Sequence, residues 1–290
     1  MLKISVVSLL VGSCIFCYYI LACHLAFRYP TALLTPQGPS VEIDSGESRN
    51  MWRDVAGIVI IMSMVLTLMV LAFKFIPNAI AGFFYFITVL ILTHLLLYLR
   101  RIGVGKNPSI PTLRATGFYV LLATVITFVW ATKRNWLIQD LVNLSAGLWI
   151  LVTWKNISLR WCLTISVAIV IYDVTAVFFS GQMIELATAV TEDYPFMMVV
   201  IPESLSLSAA PMITIGVGDL VLPGAVILLA HRLYGKRGSW MSIAGYLLGV
   251  LVAVLALTIY QFPQPATLYL IPMTLLGLWI AGRLSRKRLA

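Results

Sequence analysis

The chain has 290 residues, of which 61% are hydrophobic and only 11% are charged. Soluble domains carry roughly 25% charged residues. The composition therefore excludes an ordinary soluble protein and predicts a membrane protein. The net charge of +9 does not indicate nucleic-acid binding, because the basic residues fall in the short stretches between apolar runs.

Nine apolar runs approach the length of about 20 residues that a helix needs to cross a bilayer. They cover residues 4–27, 55–73, 79–99, 115–131, 136–152, 161–179, 209–230, 239–260 and 266–281. In lipid, each run is expected to be a helix, because an open backbone would leave its N–H and C=O groups unpaired. The sequence thus predicts one all-α polytopic membrane domain over residues 1–290.

The basic residues predict how these spans are oriented. If the spans alternate, four basic residues share the side of the N-terminus and sixteen lie on the other side. The four are Lys3, Lys74, Lys133 and Arg134. Short loops rich in Lys and Arg remain in the cytoplasm. The sequence therefore predicts an outside N-terminus and a cytoplasmic C-terminus, with anionic membrane lipid as the partner of the basic side.

Two aspartates lie well inside apolar runs that contain no basic residue. Asp173 is in "VAIVIYDVTAVFF" and Asp219 is in "ITIGVGDLVLPG". Asp219 is about ten residues into its run, which at the helical rise is roughly 15 Å and near the midplane. A charge at such depth costs on the order of 2.5–3.5 kcal/mol or more, so both are functional candidates. A structural alternative is that each stays protonated and donates one hydrogen bond between helices.

Two carboxyls in one site share a single proton, because both cannot easily ionise together. The ionised member could then take a proton from water while the other protonates a scissile carbonyl. This chemistry suits amide hydrolysis and requires neither a cofactor nor a metal. Gly216 and Gly218 would let another backbone approach Asp219 closely. Pro223 cannot donate to the carbonyl of Asp219, so the helix is expected to be weakened there.

Other polar residues and the cysteines carry structural predictions. Gln139 and Asp140 open the fifth run beside Trp136, which favours a position near the membrane surface. The four cysteines all lie in apolar runs and are expected to be small buried hydrophobes. They are Cys14, Cys17, Cys23 and Cys162. Neither a disulfide framework nor a metal-ligand spacing is visible among them.

Three motifs in chain order carry a family resemblance. Tyr172-Asp173 looks like a YD motif, and residues 216–219 (Gly-Val-Gly-Asp) look like a GxGD motif. Residues 265–267 (Pro-Ala-Thr) resemble a PAL motif, with Thr267 in place of the leucine. Together they resemble the presenilin and signal peptide peptidase superfamily of intramembrane aspartyl proteases. The surrounding residues and the predicted orientation are more similar to the signal peptide peptidase branch and its small microbial members.

The resemblance implies a presenilin-like fold of nine transmembrane helices, with N-terminal helices in residues 1–154 and catalytic helices in residues 159–282. It implies that Asp173 and Asp219 are catalytic and that six further residues support the active site or bind substrate. These six are Tyr172, Gly216, Gly218, Pro265, Ala266 and Thr267. Transmembrane-helix substrates in a prokaryotic cell membrane are implied, without cofactor, metal, nucleic acid or obligate subunits. A homo-oligomer is left open.

Two other readings of the same residues stay open at this point. Intramembrane carboxylates also act as proton relays, so the chain could be a proton-coupled transporter or an ion pore. Inverted internal repeats would favour a transporter, and none is evident in the sequence. A homologue without activity is the third alternative, which the intact YD and GxGD motifs disfavour.

Overall fold

A computed structural model describes the chain over residues 51–104, 113–133, 135–181, 198–202, 211–262 and 264–286. It also describes Tyr18, Tyr19, Ala22, Ile184 and Ser206. Tyr18, Tyr19 and Ala22 are helical and lie in the first predicted run, of which the rest is outside the described residues. Cys14, Cys17 and Cys23 are also outside them, whereas Cys162 is buried as a free thiol.

Helices dominate the described part of the chain. They are α1 (Met51–Phe75), α2 (Pro77–Val104), α3 (Leu113–Lys133), α4 (Trp136–Thr153), α5 (Leu159–Val174), α6 (Val217–Tyr260) and α7 (Thr267–Arg286). Six of these helices are long and apolar enough to cross a membrane. Many of their large apolar side chains are exposed, as expected where lipid replaces water. The protein is thus an integral multi-pass membrane protein, and the total of nine helices stays a prediction.

Local polar residues begin two of the helices. The Asn135 side chain accepts a hydrogen bond from the Leu137 N–H at 2.9 Å, at the start of α4. Ser158 is the N-cap of α5 and accepts from the Trp161 N–H at 3.2 Å. Such caps satisfy N–H groups that have no partner within the helix. The turns between apolar runs therefore end where the sequence changes from polar to apolar.

Helix α6 combines the seventh and eighth predicted runs. Its 44 residues would extend roughly 66 Å at the helical rise, about twice the apolar thickness of a bilayer. Gly235 breaks it, with φ 64° and ψ −156°. A positive φ is easy for glycine and strained for other residues. Gly235 therefore supplies the kink between the two predicted runs.

The seventh predicted run is not helical throughout, which corrects the sequence prediction. Strand β1 (Met198–Pro202) pairs antiparallel with strand β2 (Pro211–Gly216), and α6 begins directly after β2 at Val217. The strands pair with each other, so the backbone groups on their facing edges are satisfied without a helix. The helical rise used to estimate the depth of Asp219 therefore does not apply to residues 211–216, because extended chain rises about 3.3 Å per residue. The midplane position of Asp219 stays a prediction.

The described residues fall into two compact units. The first contains those within 1–18, 75–150 and 190–218, and the second those within 19–74, 151–189 and 219–290. In the first unit, α2 packs on α3 with Tyr85 edge-on to Trp130 at 5.6 Å between ring centroids. Tyr98 of α2 meets Trp149 of α4 in the same manner. Aromatic pairs of this geometry stabilise helix contacts beyond simple burial.

In the second unit, helices α5, α6 and α7 share an apolar core. Its buried members are Cys162, Val226, Leu229, Ala230 and Leu278. Arg232 of α6 donates to the Ile157 carbonyl at 2.6 Å, which fixes the turn before α5. Arg160 of α5 forms an ion pair with Asp54 of α1 at 3.1 Å. Both aspartates singled out by the sequence, Asp173 and Asp219, belong to this unit.

Candidate active site

Asp173 lies in the last turn of α5, with 7% of its surface exposed. A π-helical turn, Thr175–Phe179, follows at once. The Thr175 side chain donates to the Tyr172 carbonyl at 2.8 Å, and the Ser180 N–H donates to the Thr175 carbonyl at 3.0 Å. Single π-helical turns inside helices are frequent at functional sites. The apolar sequence gives no signal for this irregular turn.

Thr267, the first residue of α7, holds the carboxyl group of Asp173. Its side-chain hydroxyl donates to Asp173 Oδ2 at 2.5 Å, and its backbone N–H donates to the same oxygen at 3.3 Å. Thr267 is 4% exposed, so water does not compete at this position. An N–H can only donate, so Oδ2 serves as an acceptor. The first predicted catalytic residue and the third predicted motif are therefore brought together.

Pro265 and Ala266 form the turn that places Thr267 at the start of α7. The carbonyl of Pro265 accepts from the Leu268 N–H at 3.1 Å, and the carbonyl of Ala266 accepts from the Tyr269 N–H at 3.0 Å. Proline is well suited to the beginning of a helix because its N–H would lack an intrahelical partner there. The N–H of Thr267 is such an unpaired helix-start donor. It uses the Asp173 carboxyl as its acceptor.

Under the catalytic role that the family resemblance implies for Asp173, replacing Thr267 with valine should lower kcat roughly 10- to 100-fold, the equivalent of one hydrogen bond to a charged group. Valine keeps the volume and the backbone N–H but removes the hydroxyl donor. Thr267→Ser keeps the donor and should retain most of the rate. Steady-state cleavage of a transmembrane peptide by the two purified variants provides the comparison. Equal rates for the valine and serine variants would contradict a role for the hydroxyl.

Asp219 lies in the first turn of α6, three residues after Gly216 ends β2. It is partly buried. The positive end of the α6 dipole favours negative charge at this position. A Cβ placed on Gly218 would meet nothing within 4 Å among the described residues. No other described segment of this chain therefore packs closely on Gly218, and the approach of another backbone expected from the sequence stays a prediction.

Two buried tyrosines that the sequence did not single out surround the Asp219 turn. Tyr19 and Tyr246 are each 1% exposed, and their rings meet edge-on at 5.1 Å. The Tyr19 hydroxyl donates to the Leu220 carbonyl at 2.9 Å. Tyr246 is hydrogen-bonded to Tyr19 and interacts electrostatically with Asp219. Tyr19 of the first predicted run thus binds the residue next to Asp219, although that run shows no motif.

Tyr172, the neighbour of Asp173 in the YD motif, packs against helix α1. It is 6% exposed and forms an apolar cluster with Leu66 and Ala176. This contact fixes the α5 turn that carries Asp173.

Within the described ranges, no group of three or more His, Cys, Asp or Glu side chains is arranged to hold a metal ion.

A family profile described as signal peptide peptidase matches residues 47–289 of this chain. Signal peptide peptidase-like 2A of Mus musculus is 28% identical over 209 residues, covering 64% of this chain and 39% of that protein. Signal peptide peptidase-like 2B of Homo sapiens is 30% identical over 212 residues, covering 61% of this chain and 36% of that protein. Signal peptide peptidase-like 1 of Oryza sativa subsp. japonica is 25% identical over 230 residues, covering 60% of this chain and 62% of that protein.

The chain spans less than two thirds of the length of each of these relatives. The family profile, in contrast, includes both aspartates and all three motifs. The match agrees with the resemblance seen in residues 172–173, 216–219 and 265–267. The protein therefore belongs to the signal peptide peptidase family.

Proposed function

We propose that the protein is an intramembrane aspartyl protease that uses Asp173 and Asp219 as a pair. The observation that carries this proposal is the buried Asp173 carboxyl, held by two donors of Thr267 at the end of the PAL-like segment, where α7 begins. A buried carboxyl within a span is costly, so such residues are functional candidates. Membership in the signal peptide peptidase family supports proteolysis as that use.

In this mechanism, the two carboxyls activate a water molecule and the scissile peptide bond. Both donors of Thr267 point at Oδ2 of Asp173, so the shared proton is held on Asp173 Oδ1 or on Asp219. The ionised carboxyl takes a proton from water as the oxygen attacks the peptide carbon, and the protonated carboxyl donates to the carbonyl oxygen. The carboxyl that took the proton from water then gives it to the leaving nitrogen as the C–N bond breaks. One hydroxyl of the tetrahedral intermediate returns its proton to the other carboxylate, which restores the starting protonation state.

The space beside Gly218 supports this role for Asp219. No described atom lies within 4 Å of a Cβ built there, and α6 begins only one residue earlier. A substrate backbone could therefore approach the first turn of α6 closely, which a side chain at residue 218 would prevent. As far as the described residues go, the Gly218 position then leaves room for a substrate backbone.

The substrates we propose are transmembrane helices, cut within the membrane. The outside N-terminus and cytoplasmic C-terminus predicted from Lys and Arg belong to this proposal, as does a prokaryotic cell membrane. No cofactor, nucleic acid or obligate protein subunit takes part in the proposed reaction, and membrane lipid surrounds it. Both the single-domain organisation over residues 1–290 and the question of a homo-oligomer stay at the level of the sequence predictions.

Cleavage of a fluorogenic transmembrane peptide by the purified protein in liposomes tests the proposed function. Products that carry one oxygen from labelled water are expected, together with inhibition by a peptide isostere bearing a hydroxyl at the scissile position. The alternative, a proton-coupled transporter or ion pore, is tested in the same liposomes with a pH-sensitive dye. Aspartate-dependent proton flux without cleavage would establish the alternative and exclude the protease.

A further inference from the structure

Three polar residues at the start of α4 hold the backbone of strand β1. The Asp140 carboxylate accepts from the Val200 N–H at 2.7 Å. The Met198 carbonyl accepts from the Gln139 amide at 3.2 Å and from the Asn143 amide at 2.6 Å. We call Gln139, Asp140 and Asn143 the α4 clamp. All three belong to the same compact unit as β1 and β2.

The α4 clamp is buried within the protein. Asp140 is 9% exposed, Gln139 is 6% exposed and Asn143 is 4% exposed, while Val199 of the strand is 1% exposed. Burying a carboxylate is unfavourable unless its hydrogen bonds are satisfied. The sequence could not show that β1 covers this face of α4, and the membrane-surface position expected for Asp140 stays a prediction.

The clamp binds the edge of β1 that faces away from β2. Backbone groups of alternate residues in a strand point to opposite edges. Met198 and Val200 therefore direct theirs to α4, which leaves those of Val199 and Ile201 for β2. The connection between the strands is also fixed to α4, because the Trp136 indole donates to the Ser206 carbonyl at 2.8 Å.

The pairing register of β1 and β2 connects the α4 clamp to the GxGD segment. Met198, whose carbonyl accepts both amides of the clamp, is the direct partner of Gly216 in the two-stranded sheet. Gly216 is the last residue of β2, and α6 follows without a connecting residue. Any shift of β1 relative to α4 must therefore move Gly216, which lies three residues before Asp219.

We propose that Asp140 is a positioning residue for proteolysis. It holds the β1–β2 sheet in place and thereby the residues that lead from β2 into Asp219. This inference rests on the proposed function. Asp140 does not contact the reacting atoms. Its task is to accept the Val200 N–H, so the hydrogen-bond acceptor matters and the negative charge is secondary.

Three variants of α4 separate this role from general stability and from proton transfer. Asp140→Leu removes the acceptor and should lower kcat roughly 10- to 100-fold, as expected for the loss of a buried hydrogen bond to a charged group. Asp140→Asn keeps an acceptor oxygen and should recover most of that loss. Leu141→Ala is the matched control, because Leu141 is 61% exposed on the same helix.

Hydrogen exchange gives a second measurement that does not depend on any activity. Amides in the peptide covering residues 198–202 should exchange at least about tenfold faster in Asp140→Leu than in the wild type, because exchange reports local opening. If Asp140→Leu does not fold, Asn143→Leu removes one donor to the Met198 carbonyl and should show the same change with a smaller loss of rate.

A failure of the positioning role of Asp140 can be distinguished from a failure of the proposed protease function. Wild-type protein that cleaves no peptide would remove the protease assignment, while faster exchange at 198–202 would still report the clamp. Cleavage by the wild type with an unchanged kcat in folded Asp140→Leu would overturn the positioning role. Equal loss of rate in Asp140→Asn and Asp140→Leu would also overturn it, since this result assigns Asp140 to proton transfer.

Discussion

Replacing Asp219 with asparagine is expected to lower peptide cleavage roughly 10²- to 10⁴-fold, the contribution of one general acid or base. Asparagine preserves the shape of the side chain in the first turn of α6 but cannot exchange a proton. Asp173→Asn should have an effect of the same size. The double variant should be little worse than either single one, because residues that act as a unit are not additive.

The measurement is single-turnover cleavage by purified protein, with thermal unfolding recorded for each variant. Asp54→Asn is the matched control, since it makes the same chemical change in a carboxyl that pairs with Arg160 at 3.1 Å. Its rate should stay within about twofold of the wild type, because partly exposed ion pairs contribute little. Wild-type cleavage by folded Asp219→Asn would contradict the proposed mechanism.

Alanine at Gly245 or Gly277 is expected to have the largest effect on stability. These glycines lie where the second part of α6 and helix α7 approach each other closely. A Cβ at Gly245 would collide with the Met273 carbonyl oxygen, and one at Gly277 would collide with the Met241 carbonyl oxygen. Both obstacles are backbone atoms, so the helices themselves would have to separate. Overpacking of this kind costs about 1–3 kcal/mol and sometimes more.

Thermal unfolding in detergent checks the packing prediction, with Gly57→Ala and Gly82→Ala as controls. Neither control position has a described atom within 4 Å of the added Cβ. Alanine also favours a helix over glycine by up to about 1 kcal/mol, so the controls should be neutral or slightly stabilised. A melting temperature that changes equally in Gly277→Ala and Gly57→Ala would contradict the close contact between α6 and α7.

Most of the helices could be predicted from the sequence, because lipid requires each long apolar run to pair its own backbone. The second through sixth runs all contain the helices expected of them. Strand β2 could not be predicted, because residues 211–216 lie within an apolar run, where periodicity does not distinguish a strand from a helix. Its pairing with β1 depends on a contact with residues 198–202 that no local pattern reveals.

The candidate site was only partly predictable from the sequence, because contacts between residues far apart in the chain leave no local pattern. Asp173 and Asp219 stand out because charge at depth is costly, and Thr267 stands out because it departs from the PAL pattern. The structure shows that this departing residue donates a hydrogen bond directly to the Asp173 carboxyl. Tyr19 gave no such signal, and Asp140 was expected only to open the fifth run near the membrane surface. Their hydrogen bonds to the distant Leu220 carbonyl and Val200 N–H could not be read from the sequence.

The pairing of Asp173 with Asp219 is the central claim, and the affinity of a hydroxyl-bearing peptide isostere tests it most directly. A hydroxyl in place of the scissile carbonyl should contact both carboxyls at once. The isostere should therefore bind Asp173→Asn and Asp219→Asn each about 100-fold or more weakly than the wild type, as transition-state analogues depend on contacts made in the transition state. Unchanged affinity in either folded variant would show that the two aspartates do not act on the same bond.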